Sequence, residues 1–323
     1  MLNILILCIG RQHFLADAFK EALNGRGKLF VADSNVKASG LNSGDQSLIS
    51  PDFNSQRYIK WVLSICKKEN IGLLFTLNVE NLLVLEENRY LFEVINCKLL
   101  GGDIQCIQNT VDKYHLNTLC QNHGLPTIKT WLLSELNKES DFKFPLFTKP
   151  RFGKGSKGIH ILINEEEYKE FYTNHLNDSL NESYIIQEFI EGVEFGFDVI
   201  NDFNKKFVGI HVRRKLEMKN GETNIAITQS EEKWLPFGRK LSELILHQGT
   251  IDVDAIIVNN EPYVIDINYR FGGGYIFSHS AGANTPKAYV AWAVNEYCDP
   301  QWLTSVGGIK LKRQENGQIS IIE

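Results

Sequence analysis

The chain has 323 residues, 43% hydrophobic and 23% charged, with a formal net charge of −5. This is an ordinary folded composition, long enough for two or three domains with real cores. It excludes the strongly basic face of a nucleic-acid binder, and the only N-terminal apolar run, Leu2 to Ile9, is too short to span a membrane and has no basic lead.

Six cysteines, Cys8, Cys66, Cys97, Cys106, Cys120 and Cys298, lie far apart and form no Cys-x-x-Cys. They read as reduced thiols of a cytoplasmic protein. Leu2 to Ile9 is expected as a first buried strand. A helix over Gln12 to Asn24, a strand at Lys28 to Asp33 and a helix over Tyr58 to Glu69 follow from their apolar periodicity. A strand at Ile71 to Phe75, a helix over Val79 to Ile95 and a short strand at Lys98 to Leu100 complete the first third. This alternation predicts a parallel sheet covered on both faces. The turn Gly10 to His13 lies at its carboxyl edge, where ligands of open α/β sheets bind, and Arg11 can meet an anion there.

Asp112 reads as the N-cap of a helix to His123. A β-rich middle follows, with strands at Ile128 to Leu132, Pro145 to Lys149 and Gly158 to Ile163. A helix over Glu165 to His175 leads to strands at Tyr184 to Glu188, Glu194 to Asn201 and Phe207 to Arg214. Helices are expected over Trp234 to Gln248 and Thr285 to Tyr297. A closing hairpin pairs Ile309 to Lys312 with Gln318 to Ile322.

Three stretches carry chemistry. In the first, a strand ends at Lys149 and a loop holds Gly153, Gly155, Ser156 and Gly158 among Arg151, Lys154 and Lys157. Glycines let backbone N–H groups wrap an anion, and the cations neutralise it, so the loop suits phosphate. Its spacing is not that of a Walker A loop. The second is the linker Glu188-Phe189-Ile190, which can offer backbone groups to a flat base, with Glu194 beyond it able to accept from ribose hydroxyls.

The third is the hairpin Ile251 to Val258 and Pro262 to Asn268. With a loop centred on Asn260, Asp254 faces Asp266 and Asp252 faces Asn268. All four side chains then point one way. Opposed carboxylates roughly 5 Å apart repel unless a cation lies between them. Oxygen-only donors suit a hard ion, Mg²⁺ before Zn²⁺. On the hairpin alone, a solvated acidic face accounts for the pattern equally well. Arg270 and Gly272-Gly273-Gly274 follow, and they suit an anion brought close to the backbone.

Taken together, these residues resemble the ATP-grasp proteins, in particular single-unit relatives of the carbamoyl-phosphate synthase large chain. The resemblance runs in order through Gly10-Arg11, Val111-Asp112-Lys113, Gly124-Leu125-Pro126, Lys149-Pro150 with the glycine loop, and Gln187 to Glu194. It continues through Arg213 to Lys215 with Gly221-Glu222-Thr223, then Asp266-Ile267-Asn268-Tyr269-Arg270 and Ser278 to Asn284. Asp266 stands where the family usually has Glu, and Tyr269 where it has Pro. The implied fold class is α/β, with α+β character in the ATP-grasp part. A parallel-sheet pre-ATP-grasp domain (1–110) precedes a small lobe with the glycine-rich lid (111–190) and a large lobe with the metal site (191–323).

The resemblance implies that Lys113 and Lys149 hold ATP phosphates beneath the glycine loop. It implies that Glu188 faces the adenine amino group beside the backbone of Phe189 and Ile190, and that Glu194 binds ribose. Asp254, Asp266 and Asn268 would ligate Mg²⁺, with two ions and Mn²⁺ as a substitute. Arg270 would sit on the transferred phosphate, with Arg213 on a basic strand near it. The implied reaction is carboxylate–amine ligation through an acyl-phosphate, on small-molecule carboxylate and amine substrates. No nucleic acid or membrane takes part, and a homodimer is the candidate assembly.

A bicarbonate-activating carboxylase and a nucleotide-binding module without turnover are the alternatives. Met218-Lys219 lacks the flanking Ala and Met of a biotin carrier, and no phosphate lysine or metal ligand is lost.

Overall fold

Ile4, Leu5 and Ile6 have no accessible surface, as a strand in a doubly covered sheet requires. The computed structural model describes residues 1–153, 158–175, 184–219, 221–314 and 317–322. Its first sheet is parallel, with β1 (Asn3–Leu7), β2 (Leu29–Asp33), β3 (Gln46–Ile49), β4 (Ile71–Thr76) and β5 (Lys98–Leu99) in the order β3-β2-β1-β4-β5. Helix α1 (His13–Leu23) packs on one face, and α2 (Tyr58–Lys68) on the other. Strand β3 was not expected, because its residues are mostly exposed and carry no apolar alternation. Backbone pairing to β2 holds this edge, helped by Leu48 packing on the core and by Ser47 Oγ donating to the Leu41 carbonyl.

The expected helix over Val79 to Ile95 is two helices, α3 (Val79–Glu86) and α4 (Arg89–Val94). Asn88 Nδ2 donates back to the Val84 carbonyl at 2.9 Å, a local bond that competes with helix continuation. The Arg89 guanidinium forks onto Glu86 across the break, at 2.6 and 2.7 Å. Helix α5 (Ile104–Val111) was missed, although Asp103 caps it by accepting from the Cys106 N–H. Helix α6 (Lys113–Asn122) starts on Asp112, as its sequence predicts. Both helices bury Ile107, Leu116 and Cys120 against the large sheet described below.

A four-stranded antiparallel sheet follows, made of β6 (Thr130–Leu132), β7 (Leu146–Pro150), β8 (His160–Leu162) and β9 (Tyr184–Glu188) in the order β6-β9-β7-β8. Helix α7 (Glu165–His175) covers one face through Tyr168 and Phe171.

The large sheet is antiparallel and has seven strands: β10 (Val193–Asn201), β11 (Phe207–Lys219), β12 (Glu222–Thr228), β13 (Gly249–Val258), β14 (Glu261–Asn268), β15 (Lys310–Arg313) and β16 (Ile319–Ile321). Their order is β14-β13-β10-β11-β12-β15-β16. Strand β12 was not expected, although Thr223-Asn224-Ile225-Ala226-Ile227 pairs along β11. Side chains alternate across this sheet. Phe195, Phe197, Val212 and Val253 pack under Trp234 and helix α8 (Leu235–Ile245). The neighbours in each strand, Glu194, Asp198, Arg213, Lys215, Asp252 and Asp254, therefore share the opposite face. Helices α9 (Tyr275–Ser280) and α10 (Thr285–Ala293) bring Tyr275, Tyr289 and Val290 into one core with Ile4, Phe19 and Phe75, which fixes the first sheet against the third.

Candidate active site

The acidic hairpin is β13–β14. Asp254 lies opposite Asp266 and Asp252 opposite Asn268, as parity predicts, but by another route. The turn has two residues rather than three. Asn259 and Asn260 both have positive φ, 50° and 67°, which matches a tight hairpin turn. That turn alone would offset the register by one residue. A bulge between Asp254 and Ala255 restores it, because Ile265 is the unpaired extra residue. The bulge also turns the Ile265 carbonyl towards β7, where it accepts from Lys149 Nζ at 3.2 Å. One lysine thus reaches from the four-stranded sheet to the metal-type hairpin.

A cavity of about 500 Å³ opens here, and all three sheets contribute to its wall. Gln12 and Leu77 come from the turns that follow β1 and β4 of the first. Phe147, Lys149, Glu188, Phe189 and Ile190 come from the second and its exit. Glu194, Arg213, Lys215, Asp254, Asp266, Asn268 and Arg270 come from the third or the turn after it. A space of this size holds a nucleotide-sized ligand.

Its charges are paired across the sheet. Lys215 Nζ lies 2.7 Å from Asp254 Oδ1 and 2.6 Å from Glu194 Oε1. Burial pushes the Asp254 carboxyl up to about 6, with Lys215 pulling against the rise. Burial pushes Lys149 down to about 8; Asp266 opposes this and Lys113 adds to it. The Lys215 ammonium goes the other way: burial opposes its charge, but Asp254 and Glu194 more than offset that and raise it.

Asn268 Nδ2 donates to Asp266 Oδ2 at 3.2 Å. Among the described residues no group of three or more His, Cys, Asp or Glu forms a metal site. The available donor set is therefore two opposed carboxylates completed by an amide. It fits a hard cation that takes its other ligands from phosphates and water. The protein already sets an ammonium against Asp254, so this face is built for positive charge.

Lys113 Nζ donates to the Gly153 carbonyl at 2.9 Å, and its N–H to the Arg151 carbonyl. Lys113 therefore pins the start of the glycine loop while lining the cavity. Arg151 is held by Asp112 through Nε at 2.9 Å and Nη2 at 2.7 Å. Burial works against the Asp112 charge, but these bonds keep its carboxyl below the usual range. Gly153 and Gly158 have φ of 148° and 72°, so the loop ends use the freedom of glycine. Gly155 and Ser156 lie outside the described residues. Glu188 is about half exposed, 3.9 Å from Lys129.

Two expectations need correction. Arg213 does not reach into the cavity as a free cation. Its side chain is 1% exposed, and its two Nη atoms hold Asp198 at 2.6 Å and Asp252 at 3.0 Å. The Gly272-Gly273-Gly274 run is likewise not simply an anion cradle. A Cβ on Gly272 would come within 2.2 Å of Asp252 Oδ1, and one on Gly274 within 2.2 Å of Arg213 Nε. These glycines make room for two buried side chains. Asp198 was missed, although it shares a strand face with Glu194 and Gly196, and that parity was readable. Asp252, on the same acidic face but outside the ligand set that the resemblance implies, binds both Arg213 and Arg270. Arg11 is exposed and pairs with Glu222 on β12. His279 packs against Phe14 and Tyr275, and burial pushes it down to about 4.

Comparison with known proteins gives the same architecture. The description "PylC-like, N-terminal domain" matches residues 4–100, and "ATP-grasp domain" matches residues 110–274. The D-alanine--D-alanine ligase of Petrotoga mobilis is 27% identical over 191 residues, which is 53% of this chain and 62% of that protein. The carbamoyl phosphate synthase large chain of Thermus thermophilus is 26% identical over 226 residues, 65% of this chain and 22% of that one. The chain thus spans less than two thirds of the length of these relatives. Among solved structures, L-amino acid ligase from Bacillus licheniformis superposes with a TM-score of 0.71 at 19% identity, covering 97% of this chain and 79% of that one. N5-carboxyaminoimidazole synthetase from Staphylococcus aureus gives 0.73 at 15% identity, covering 97% and 82%. At such identities the likeness concerns the fold. With the domain match extending over half its length, the chain belongs to the ATP-grasp family.

Proposed function

We propose that the protein is an ATP- and Mg²⁺-dependent ligase that activates a small carboxylate as an acyl-phosphate and joins it to an amine, releasing ADP and phosphate. One observation carries this reading: Lys149 from β7, Lys215 from β11 and Arg270 after β14 converge beside the Asp254–Asp266 pair in one cavity. Phosphoryl transfer needs positioning and charge neutralisation more than a protein nucleophile, and these groups supply both.

In this reading the exit of β9 holds the adenine through Glu188 and the backbone of Phe189 and Ile190, and Glu194 accepts from the ribose. Lys113 and Lys149 hold the phosphates under the loop that contains Gly153, Gly155, Ser156 and Gly158. Asp254, Asp266 and Asn268 would hold the metal, as two Mg²⁺ ions with Mn²⁺ as a substitute. When bound, it draws charge from the phosphate oxygens. A substrate carboxylate oxygen attacks the γ-phosphorus, the bond to the β–γ bridging oxygen breaks, and ADP leaves. The amine then attacks the acyl carbon, the phosphate departs with the substrate oxygen, and the amine nitrogen loses a proton. Arg270 neutralises the phosphoryl oxygens in both steps. The four-stranded sheet, within residues 111–190, acts as the cover that excludes water.

The test is ADP release by the purified protein with ATP and Mg²⁺ against pooled carboxylic acids and amines. Release that requires both pools is expected. No release above the level without substrates, in any pool, would overturn the reading.

A further inference from the structure

Four charged side chains form a continuous chain beneath the cavity. Asp198, with no exposed surface, holds Arg213 Nη1 at 2.6 Å. Arg213 Nη2 holds Asp252 Oδ1 at 3.0 Å, and Asp252 Oδ2 holds Arg270 Nη1 at 3.1 Å. Two carboxylates and two guanidinium groups alternate, so the chain is balanced in charge as far as Arg270. Arg213 is sealed in: a Cβ on Gly196 would lie 2.8 Å from its Nε, and one on Gly274 would lie 2.2 Å from it. Among the described residues that Nε has no hydrogen-bond partner, nor does Asp198 Oδ1.

Arg270 is the most exposed of the four, with about a quarter of its side chain open where it lines the cavity. Both of its hydrogen bonds leave from Nη1, one to Asp252 and one to the Phe271 carbonyl at 3.0 Å. The other edge of the guanidinium carries no bond within the described residues. A planar fork pinned along one side offers the other side as a fixed pair of donors.

We propose that Asp252, anchored by the buried Arg213, is a positioning residue that clamps Arg270 by Nη1 and leaves its Nε–Nη2 edge aimed at the phosphoryl group in transfer. The inference rests on the proposed ligase reading for the identity of that group, but not for the clamp itself. Arg213 acts through Asp252 and touches no substrate. Gly272 belongs to the same device, since its missing Cβ leaves room for the Asp252 carboxylate.

Two variants test it, Asp252→Asn and Gly272→Ala. The second removes no charge and displaces the carboxylate by crowding. Crystal structures of both are expected to show the Arg270 guanidinium displaced or spread over several positions. The affinity for ADP with Mg²⁺, by calorimetry, is expected to stay within about threefold of wild type, because Arg270 grips the transferred group rather than the nucleotide. ADP-forming turnover is expected to fall about 100-fold, in kcat rather than in the KM for ATP, as for removal of one preorganised donor. A purely structural role would lower the melting temperature and the active fraction, and would leave the position of Arg270 and the kcat per folded molecule unchanged. That outcome overturns the proposal, as does a guanidinium that stays in place in both variants. If wild type turns over nothing, the ligase reading fails by itself and the position of Arg270 still decides the clamp.

Discussion

Lys149→Met separates function from stability, because the two should move in opposite directions. Lys149 is 8% exposed, and among the described residues its ammonium donates to the Ile265 carbonyl at 3.2 Å. Burial lowers its pKa from 10.5 to about 8. The folded value lies below the unfolded one, so between these limits the unfolded chain binds the extra proton. The penalty is therefore fully present below about pH 8 and fades as pH rises towards 10.5. A shift of that size corresponds to on the order of 3 kcal/mol. Methionine fills similar space without charge, so at pH 7 and without nucleotide or metal the variant should be more stable by that order. At roughly 2–4 °C per kcal/mol, or somewhat less for a chain of this length, the melting temperature should rise by about 5 °C. The gain should shrink on moving from pH 7 to pH 9.5. An ammonium about 4 Å from a phosphate is worth on the order of 4 kcal/mol at an effective dielectric of 20, so ATP affinity should drop by two to three decades. Thermal unfolding at the two pH values, with calorimetry of ATP, reads all of this. A variant that is less stable than wild type, or that binds ATP unchanged, would refute the reasoning.

Lys215→Met should behave in the opposite way. The Lys215 pKa is raised, so its stabilisation is fully present below the ordinary lysine value and is lost only as pH climbs through the folded one. Removing it leaves Glu194 and the buried Asp254 without their ammonium, and should cost about 3 kcal/mol in urea unfolding at pH 7. His247 has no exposed surface, its Nε2 donates to the Val199 carbonyl at 3.0 Å, and burial lowers it to about 4. The unfolded chain takes up a proton near pH 6.5 that the folded chain refuses. Stability should therefore fall between pH 7 and pH 4, with this histidine contributing on the order of 3 kcal/mol of the loss. His247→Gln should flatten that slope, and an unchanged slope would exclude the assignment.

Strand parity made the ligand face of the hairpin legible, because alternation survives any register that brings Asp254 opposite Asp266. The turn length and the bulge were not legible, since Ile265 looks like any other apolar strand residue and its carbonyl matters only once Lys149 arrives from another sheet. The glycine run shows the same limit. Its composition indicates close approach to something, but only the register of β10, β11 and β13 shows that the close neighbours are Arg213 and Asp252. Asp198 could have been found, as a carboxylate at the polar parity of an otherwise apolar strand. Strand β3 could not, because it carries no apolar alternation and is held mainly by backbone pairing to β2.

Attack of a substrate carboxylate on the γ-phosphorus of ATP, as proposed, moves a carboxylate oxygen into the released phosphate, and that oxygen can be followed. The protein, ATP and Mg²⁺ are supplied with amines and with carboxylic acids labelled with ¹⁸O in both carboxyl oxygens, and the released phosphate is analysed by mass spectrometry. An acyl-phosphate route transfers one labelled oxygen to each phosphate. Phosphate that carries no label, with its new oxygen drawn from water, would contradict the account.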